Sequence, residues 1–290
     1  MSKHASPELV VEEHPNDDIL REERIPHIWC AGCGLGTVIK AFGEAVRESE
    51  GTLDDHAVVS GIGCTGRSAG YVNTDSYHTT HGRGIPFATG VKVANPDLTV
   101  SVLSGDGDLF NIGGNHFIHA ARRNLDLTVV AVNNFNYGMT GGQFGATTPT
   151  GSETATTPYG NFERPFNIPL LASSLDAPYV ARWTTLHPRR LAQSIETGMA
   201  IDGFAVVEVI SPCPPGYGKD NDFPEGTDMM SYFEEHAVID DQADTRDVGI
   251  DLEGEDLVVG TFVEDRDSRS YLDQKSDLLF NDGSQGGEGQ

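Results

Sequence analysis

Basic residues are scarce in this sequence. Its 290 residues include 19 lysines and arginines against 44 aspartates and glutamates, which gives a formal charge of −25 and a pI near 4.5. A surface this negative repels nucleic acids and anionic membranes, so we expect neither as a partner. We interpret the acidic surface as an adaptation to high salt, which screens surface charge, and hence predict a halophilic source. The alternative is an ordinary acidic cytosolic protein with an acidic tail.

The sequence also lacks a long apolar run and a signal peptide. No apolar segment approaches the ~20 residues that a helix needs to cross a bilayer. The N-terminal region is acidic, whereas a signal peptide begins with a basic stretch and continues with an apolar one. Its acidic residues are Glu8, Glu12, Glu13, Asp17 and Asp18. Together with the interpretation of the cysteines below, this predicts a cytoplasmic protein.

Strand-like runs alternate with helix-like segments in the middle of the chain. Short apolar runs lie at residues 57–60, 99–104, 127–132, 180–183 and 204–210. Apolar residues at helical spacing lie at residues 35–46, 86–93, 110–123 and 191–199. This alternation is typical of an α/β fold with a doubly wound, mostly parallel sheet.

Composition divides the chain into three parts. We predict an N-terminal extension over residues 1–27, a central domain over residues 28–215, and an acidic C-terminal segment over residues 216–290. The C-terminal segment contains one further candidate strand at residues 258–263 and should be disordered from residue 282 onward. Residues 136–165 are crowded with Gly, Thr and Pro, and so long an irregular loop is usually functional.

The four cysteines all lie in contexts that favour ligand binding. Cys30 and Cys33 form a CxxC motif before a predicted helix, Cys64 follows a predicted strand, and Cys213 precedes a proline after the last strand. Four thiolates can bind a [4Fe-4S] cluster or a zinc ion, and spacing alone does not separate the two. Because only one CxxC motif is present, whereas zinc ribbons normally have two, we favour the cluster. Buried unligated thiols, or two disulfides in an oxidising compartment, are the simpler alternative.

A second set of polar residues follows two consecutive strands. Gly105-Asp106-Gly107-Asp108 ends one strand and Asn133-Asn134 ends the next. In a parallel sheet both ends lie at the same edge, where open α/β folds bind ligands. Asp106, Asn134 and a nearby carbonyl could hold Mg²⁺ carrying a diphosphate. His81 and Arg83, in a loop rich in His, Thr and Gly, are candidates to contact phosphate or a substrate carboxylate.

Together these motifs resemble the β subunit of 2-oxoacid:ferredoxin oxidoreductases over roughly residues 27–220. The motifs occur in the family's order: Trp29-Cys30-Ala31-Gly32-Cys33-Gly34, Gly61-Ile62-Gly63-Cys64, His81-Gly82-Arg83, Gly105-Asp106-Gly107-Asp108, Ile112-Gly113-Gly114-Asn115-His116, Asn133-Asn134, and Tyr137-Gly138-Met139-Thr140-Gly141-Gly142-Gln143.

The resemblance implies three cofactors, namely thiamine diphosphate, Mg²⁺ and a [4Fe-4S] cluster. The implied cluster ligands are Cys30, Cys33, Cys64 and Cys213. The implied magnesium ligands are Asp106, Asn134 and the main-chain carbonyl of Asn136. The remaining implied thiamine diphosphate contacts are Gly63, Cys64, Thr65, His81, Gly105, Gly107, Asp108, Gly138, Met139 and Thr140.

The resemblance also implies a reaction and its partners. Such enzymes decarboxylate a 2-oxoacid oxidatively, forming acyl-CoA and CO2 and passing electrons through the cluster to ferredoxin. The group that activates the cofactor lies on an α or fused γ–α subunit, so we expect a heterodimer or heterotetramer that is inactive without that partner. Residues 139–143, 156–161 and 180–183 are most like the 2-oxoglutarate branch. The family usually has a proline at Ala31 and serine-proline at Gly145-Ala146, so a pyruvate or branched-chain substrate stays open.

Two rival functions remain. A non-oxidative thiamine diphosphate decarboxylase or synthase subunit would share the metal–diphosphate motif, but its chemistry requires no cysteines for electron transfer. A zinc-stapled binding or scaffold protein would share the cysteines and would not be an enzyme.

Metal analysis separates the cluster from zinc. We expect anaerobically purified protein to contain about four irons per chain and to absorb broadly near roughly 400 nm. A colourless protein with one zinc and no iron would contradict the cluster.

Overall fold

The computed structural model describes residues 16–252 and 256–280, and one eight-stranded sheet forms the centre of the fold. The strands are β1 His56–Ser60, β2 Asp75–His78, β3 Thr99–Gly105, β4 Leu127–Asn133, β5 Tyr179–Thr184, β6 Phe204–Ile210, β7 Ala237–Ile239 and β8 Leu257–Glu264. Their order is β2-β1-β3-β4-β6-β5-β8-β7. The first six are parallel to one another, and β8 pairs antiparallel with β5.

The central strands are buried on both faces, which explains their nearly continuous apolar sequences. Every residue of β4 and β6 is buried. Side chains alternate between two cores because successive residues of a strand point to opposite faces. Val130 and Val132 belong to one core, whereas Val129 and Ala131 belong to the other.

Helices cover both faces of the sheet. They are α1 Leu35–Glu48, α2 Gly84–Ala94, α3 Gly114–Arg122, α4 Ile168–Ser173, α5 Pro188–Met199, α6 Asp228–His236 and α7 Tyr271–Phe280. Helices α1 and α5 pack together on one face, and α2, α3 and α4 pack on the other. The predicted doubly wound α/β fold is therefore confirmed. Within the described residues, no helix has both the length and the apolar character needed to cross a membrane.

Some predicted elements differ in detail. A wide helical turn over Gly107–Ile112 precedes α3, so helical structure begins earlier than the predicted residue 110 and is interrupted at Gly113. Strand β2 lies in the loop rich in His, Thr and Gly and was not predicted. It is an edge strand whose four residues are mostly exposed, so it lacks an apolar pattern.

The two predicted flanking segments contribute to the same fold. Ile19 is buried, and Leu20 forms a bridge with Val72. In the acidic C-terminal segment, the predicted strand is present as β8, and Phe233 and Val248 are buried. A few apolar side chains, spaced among acidic residues, anchor this segment to the core. The division into three parts stays a prediction, and the predicted disorder from residue 282 lies outside the described residues.

Phe117 offers a test of the second core. Its side chain is fully buried and makes edge contacts with Phe110 and Phe204, at ring distances of 4.9 and 5.3 Å. We expect Phe117→Ala to lower the free energy of unfolding by about 3–5 kcal/mol, because it leaves a cavity. Chemical denaturation measures this, with Phe162→Ala as the control. Phe162 is 88% exposed, so its loss should change stability by less than about 0.5 kcal/mol.

Candidate functional site

A cavity of about 100 Å³ lies at the carboxyl ends of β1, β3 and β4. Larger cavities of about 560 and 750 Å³ occur elsewhere on the chain, but only the smaller one gathers the predicted site residues. It is lined by Ile62, Gly63, Cys64, Thr65, His81, Gly105, Asp106, Gly107, Asp108, Asn134, Asn136, Tyr137, Gly138, Met139 and Thr140. The fold thus brings all the predicted thiamine diphosphate contacts to one place.

The Asn134 side-chain amide faces two oxygen atoms at this cavity. One terminal atom of the amide lies 2.8 Å from the main-chain oxygen of Asn136 and 3.3 Å from Oδ1 of Asp106. With the nitrogen in that position, the amide donates to both oxygens. With the oxygen in that position, the three oxygens would suit an octahedral Mg²⁺ site, in which neighbouring oxygens lie about 3 Å apart, so this geometry accommodates the predicted ligands Asp106, Asn134 and Asn136.

The Asp106 carboxyl is held in a dry environment. Its side chain is 2% exposed, and Oγ1 of Thr147 donates a 2.5 Å hydrogen bond to its Oδ2. Burial raises the pKa of Asp106 to about 7, although the hydrogen bond from Thr147 and nearby main-chain amides act in the opposite direction. A divalent cation would compensate for the lost hydration of the carboxylate.

Asp108 organises the loops around the cavity. Its carboxylate accepts hydrogen bonds from the amides of Ile62 and Gly82, at 3.1 and 2.8 Å, and from Oγ of Ser104 at 2.8 Å. It also forms a short contact with Nδ1 of His81. Since protein groups engage both carboxylate oxygens, the predicted contribution of Asp108 to cofactor binding would come from positioning these loops and the imidazole.

Two glycines permit this close packing. A Cβ on Gly61 would lie 1.9 Å from Oδ2 of Asp108. A Cβ on Gly107 would lie 2.5 Å from the ring of Tyr137, whose hydroxyl donates to the Gly107 carbonyl at 3.2 Å. Any larger residue at either position would displace the carboxylate or the ring.

Arg83 lies outside the cavity. Its guanidinium donates to the carbonyls of His81 and Gly82 at 3.4 and 3.3 Å and lines the neighbouring cavity of about 750 Å³. His81 lines the site itself, and because Asp108 holds its Nδ1, Nε2 is the nitrogen left for a ligand. Of the two predicted catalytic residues, the structure places only His81 at the site.

The four cysteines come from three loops and carry free thiols. Cys213 is buried, Cys33 and Cys64 are half-buried, and Cys30 is exposed. Burial, with a smaller contribution from the other three cysteines nearby, raises the pKa of Cys33 to about 12. Cys213 also donates a 3.8 Å hydrogen bond to Oδ1 of Asn136, so the cysteine loops adjoin the oxygen site.

Among the residues that the structure describes, no three His, Cys, Asp or Glu side chains are close enough to share a single metal ion. The choice between zinc and an iron–sulfur cluster stays a prediction.

The motifs did not reveal several residues of the site. Thr147, Ser104 and Tyr137 contact its carboxylates or main chain, yet none was predicted as a ligand. Thr147 lies in the irregular loop that was expected to be functional, Tyr137 begins the motif of residues 137–143, and Ser104 lies in β3 outside the motifs. The loop brings Thr147 to a residue 41 positions earlier.

Residues 61–209 match the family described as thiamine pyrophosphate enzyme, C-terminal TPP binding domain. The 2-oxoglutarate synthase subunit KorB of Methanocaldococcus jannaschii is 47% identical over 251 residues, which cover 87% of this chain and 92% of that protein. KorB of Archaeoglobus fulgidus is 54% identical over 197 residues, or 68% of this chain and 73% of that one. The chain belongs to the KorB family.

A solved relative supports this KorB-family assignment. It is the 2-oxoglutarate:ferredoxin oxidoreductase from Magnetococcus marinus with 2-oxoglutarate, coenzyme A and succinyl-CoA bound. The two chains are 31% identical, with a TM-score of 0.81 over 97% of this chain and 94% of the other. The β-subunit resemblance inferred from the motifs is confirmed.

Asp106 makes the stability of this KorB-family chain depend on pH. Because its pKa is about 7 in the folded state and near 3.8 when unfolded, the folded state favours the neutral acid. The cofactor-free protein should therefore lose stability as the pH rises from about 4 through about 7. Asp106→Asn should remove this loss, giving a gain of up to about 4 kcal/mol at pH 8. The same change should abolish binding of Mg²⁺ and thiamine diphosphate.

Unfolding of chelator-treated protein at pH 5 and pH 8 measures this effect. Asp108→Asn is the matched control, and it should destabilise the protein at both pH values because an amide replaces an acceptor of several hydrogen bonds. If Asp106→Asn gave no larger gain at pH 8 than at pH 5, the carboxylate would not be buried as described.

Proposed function

We propose that this chain is the β subunit of an enzyme that oxidatively decarboxylates 2-oxoglutarate, transfers the acyl group to coenzyme A and passes electrons to ferredoxin. The observation that carries the proposal is the proximity of the Asp106 carboxyl, the Asn134 side chain and the Asn136 carbonyl to one another, beside the four-cysteine loops. KorB relatives are named 2-oxoglutarate synthase subunits, which supports the choice of substrate and reaction.

Asp106, Asn134 and the Asn136 carbonyl would hold Mg²⁺, and the cation would bind the diphosphate. The loop around Gly63, Cys64 and Thr65 and the turn that begins at Gly107 would supply further contacts. Thiamine diphosphate supplies the electron sink that decarboxylation of a 2-oxoacid needs. His81 would offer Nε2 to phosphate or substrate, with Asp108 fixing its orientation.

Cys30, Cys33, Cys64 and Cys213 would bind the [4Fe-4S] cluster. Cys64 lines the cofactor cavity, and Asn136 contacts Cys213 through its side chain while its carbonyl belongs to the oxygen site. These shared residues would keep the route for electrons from cofactor to cluster short. We also propose a cytoplasmic location for the enzyme, since free cysteines and iron–sulfur chemistry fit that compartment.

The site is only part of an active site, and we propose that an α or fused γ–α subunit completes it in a heterodimer or heterotetramer. A complete ligand pocket is usually about 300–1,000 Å³, well above the 100 Å³ seen here. Among the described residues lining the cavity, the acidic ones are Asp106 and Asp108, and both carboxylates already accept hydrogen bonds from other groups of this chain. Ile62 and Met139 line the cavity and are 40% and 43% exposed, as expected of a surface that a partner covers.

The substrate is tested by reconstituting this chain with its α subunit in the presence of Mg²⁺ and thiamine diphosphate. We expect ferredoxin reduction with coenzyme A and 2-oxoglutarate to exceed that with pyruvate or a branched-chain 2-oxoacid by at least about tenfold in kcat/KM, which corresponds to about 1.4 kcal/mol. Asp106→Ala should abolish thiamine diphosphate binding and activity. Preference for pyruvate would overturn the substrate, and retained thiamine diphosphate affinity in Asp106→Ala would overturn the metal site.

A further inference from the structure

A buried ion pair lies beneath the oxygen site. Arg182 of β5 and Glu208 of β6 occupy paired positions in the sheet, and Nε of Arg182 lies 2.7 Å from Oε2 of Glu208. Each side chain is 1% exposed. No other part of the proposed function uses these two charges.

A buried ion pair is expected to contribute little to the stability of the fold. Removing two charges from water costs several kcal/mol per ion, and well-packed apolar residues often stabilise a core as much or more. The cost is higher here because Nη2 of Arg182 has no hydrogen-bond partner among the described residues. The pair therefore calls for a second role.

The ion pair is hydrogen-bonded to the turn from Asn133 to Asn136, which carries the Asn134 side chain and the Asn136 carbonyl. Oε1 of Glu208 accepts a 2.8 Å hydrogen bond from Nδ2 of Asn133, the last residue of β4. Oδ1 of Asn133 in turn accepts from the amide of Phe135 at 3.2 Å. Since Glu208 fixes which end of the Asn133 amide is the acceptor, it also fixes where that acceptor lies.

The turn needs such support because its backbone is strained. Phe135 has a φ of +66°, a conformation that costs a non-glycine residue of order 1–3 kcal/mol. Phe135 lies between Asn134 and Asn136, so its conformation decides where the Asn134 side chain and the Asn136 carbonyl point. The Asn133 side chain therefore helps to hold both oxygens in place.

We propose that Arg182 and Glu208 are positioning residues for the cation, acting through Asn133 on the turn from Asn133 to Asn136. The inference rests on the proposed function, because it assigns these residues to the same Mg²⁺ and thiamine diphosphate site. Arg182 extends the network further, since its Nη1 donates to the carbonyl of Val248 at 2.5 Å. The acidic C-terminal segment thus covers the ion pair and keeps it dry.

The test replaces the pair without leaving a lone charge. In the reconstituted αβ enzyme, the double variant R182M/E208L should still fold in the absence of cofactors, because it leaves no lone buried charge. Its melting temperature should fall only modestly, since the Asn133 amide and the Val248 carbonyl lose one hydrogen bond each. It should bind Mg²⁺ about 10–100-fold more weakly at saturating thiamine diphosphate, the usual loss when a group supporting a metal ligand is removed. At saturating Mg²⁺, kcat should stay within about threefold of wild type.

Asn133→Ala provides a second variant that leaves the ion pair intact and should weaken Mg²⁺ binding by a similar factor. The matched control is K92M/D126L, which removes another ion pair, with an Nζ–Oδ2 distance of 2.6 Å, from the opposite end of the sheet. Its Mg²⁺ affinity should stay within about twofold of wild type.

Unchanged Mg²⁺ affinity in a folded R182M/E208L would overturn the inference and leave the pair with a structural role only. If R182M/E208L failed to fold, unchanged Mg²⁺ affinity in Asn133→Ala would overturn the inference in the same way. If the wild-type enzyme itself bound neither Mg²⁺ nor thiamine diphosphate, the proposed function would fail and the inference with it. The two failures are thus distinguishable.

Discussion

The burial of one carboxylate at the end of β3 constrains the rest of the site. Asp106 is 2% exposed and lies beside the Asn134 side chain and the Asn136 carbonyl, which follow the end of β4, and burying its carboxylate is costly without polar partners. The parallel sheet makes it possible, because it brings the carboxyl ends of both strands together. Thr147 and the irregular loop around it complete the enclosure. The pocket is therefore built around one buried carboxyl group.

The cysteine loops share residues with this pocket, so the proposed cofactor and the proposed cluster would lie side by side in a single chain. Cys64 follows β1 and Cys213 follows β6, so the same sheet edge supplies both sets of groups. Tight turns hold the loops in place, and Gly61 allows Asp108 to reach across and gather them. The cavity remains open and partly apolar at its rim, in agreement with an enzyme whose second half lies on another subunit.

The distribution of charge differs sharply between surface and interior. The excess of acidic residues affects solubility and carries little information about the fold. Inside, each of these charged groups has a defined partner: Asp106 accepts a hydrogen bond from Thr147, Asp108 accepts from loop amides, and Arg182 pairs with Glu208 below the turn. The acidic C-terminal segment contributes to both the surface and the interior. Much of the segment is exposed, yet it covers Arg182 and contributes β8 to the sheet.

The sequence alone determined the family, the central strands and the groups that line the site, because these depend on local patterns. The predicted strand at residues 204–210 matches β6, and the GDG and Asn-Asn motifs fall where strands end. Only the tertiary structure decided how the groups are used. Thr147 reaches Asp106, Glu208 reaches Asn133 across 75 residues, and Arg83 faces away from the cavity. Contacts between residues so far apart follow from packing, and no local spacing encodes them.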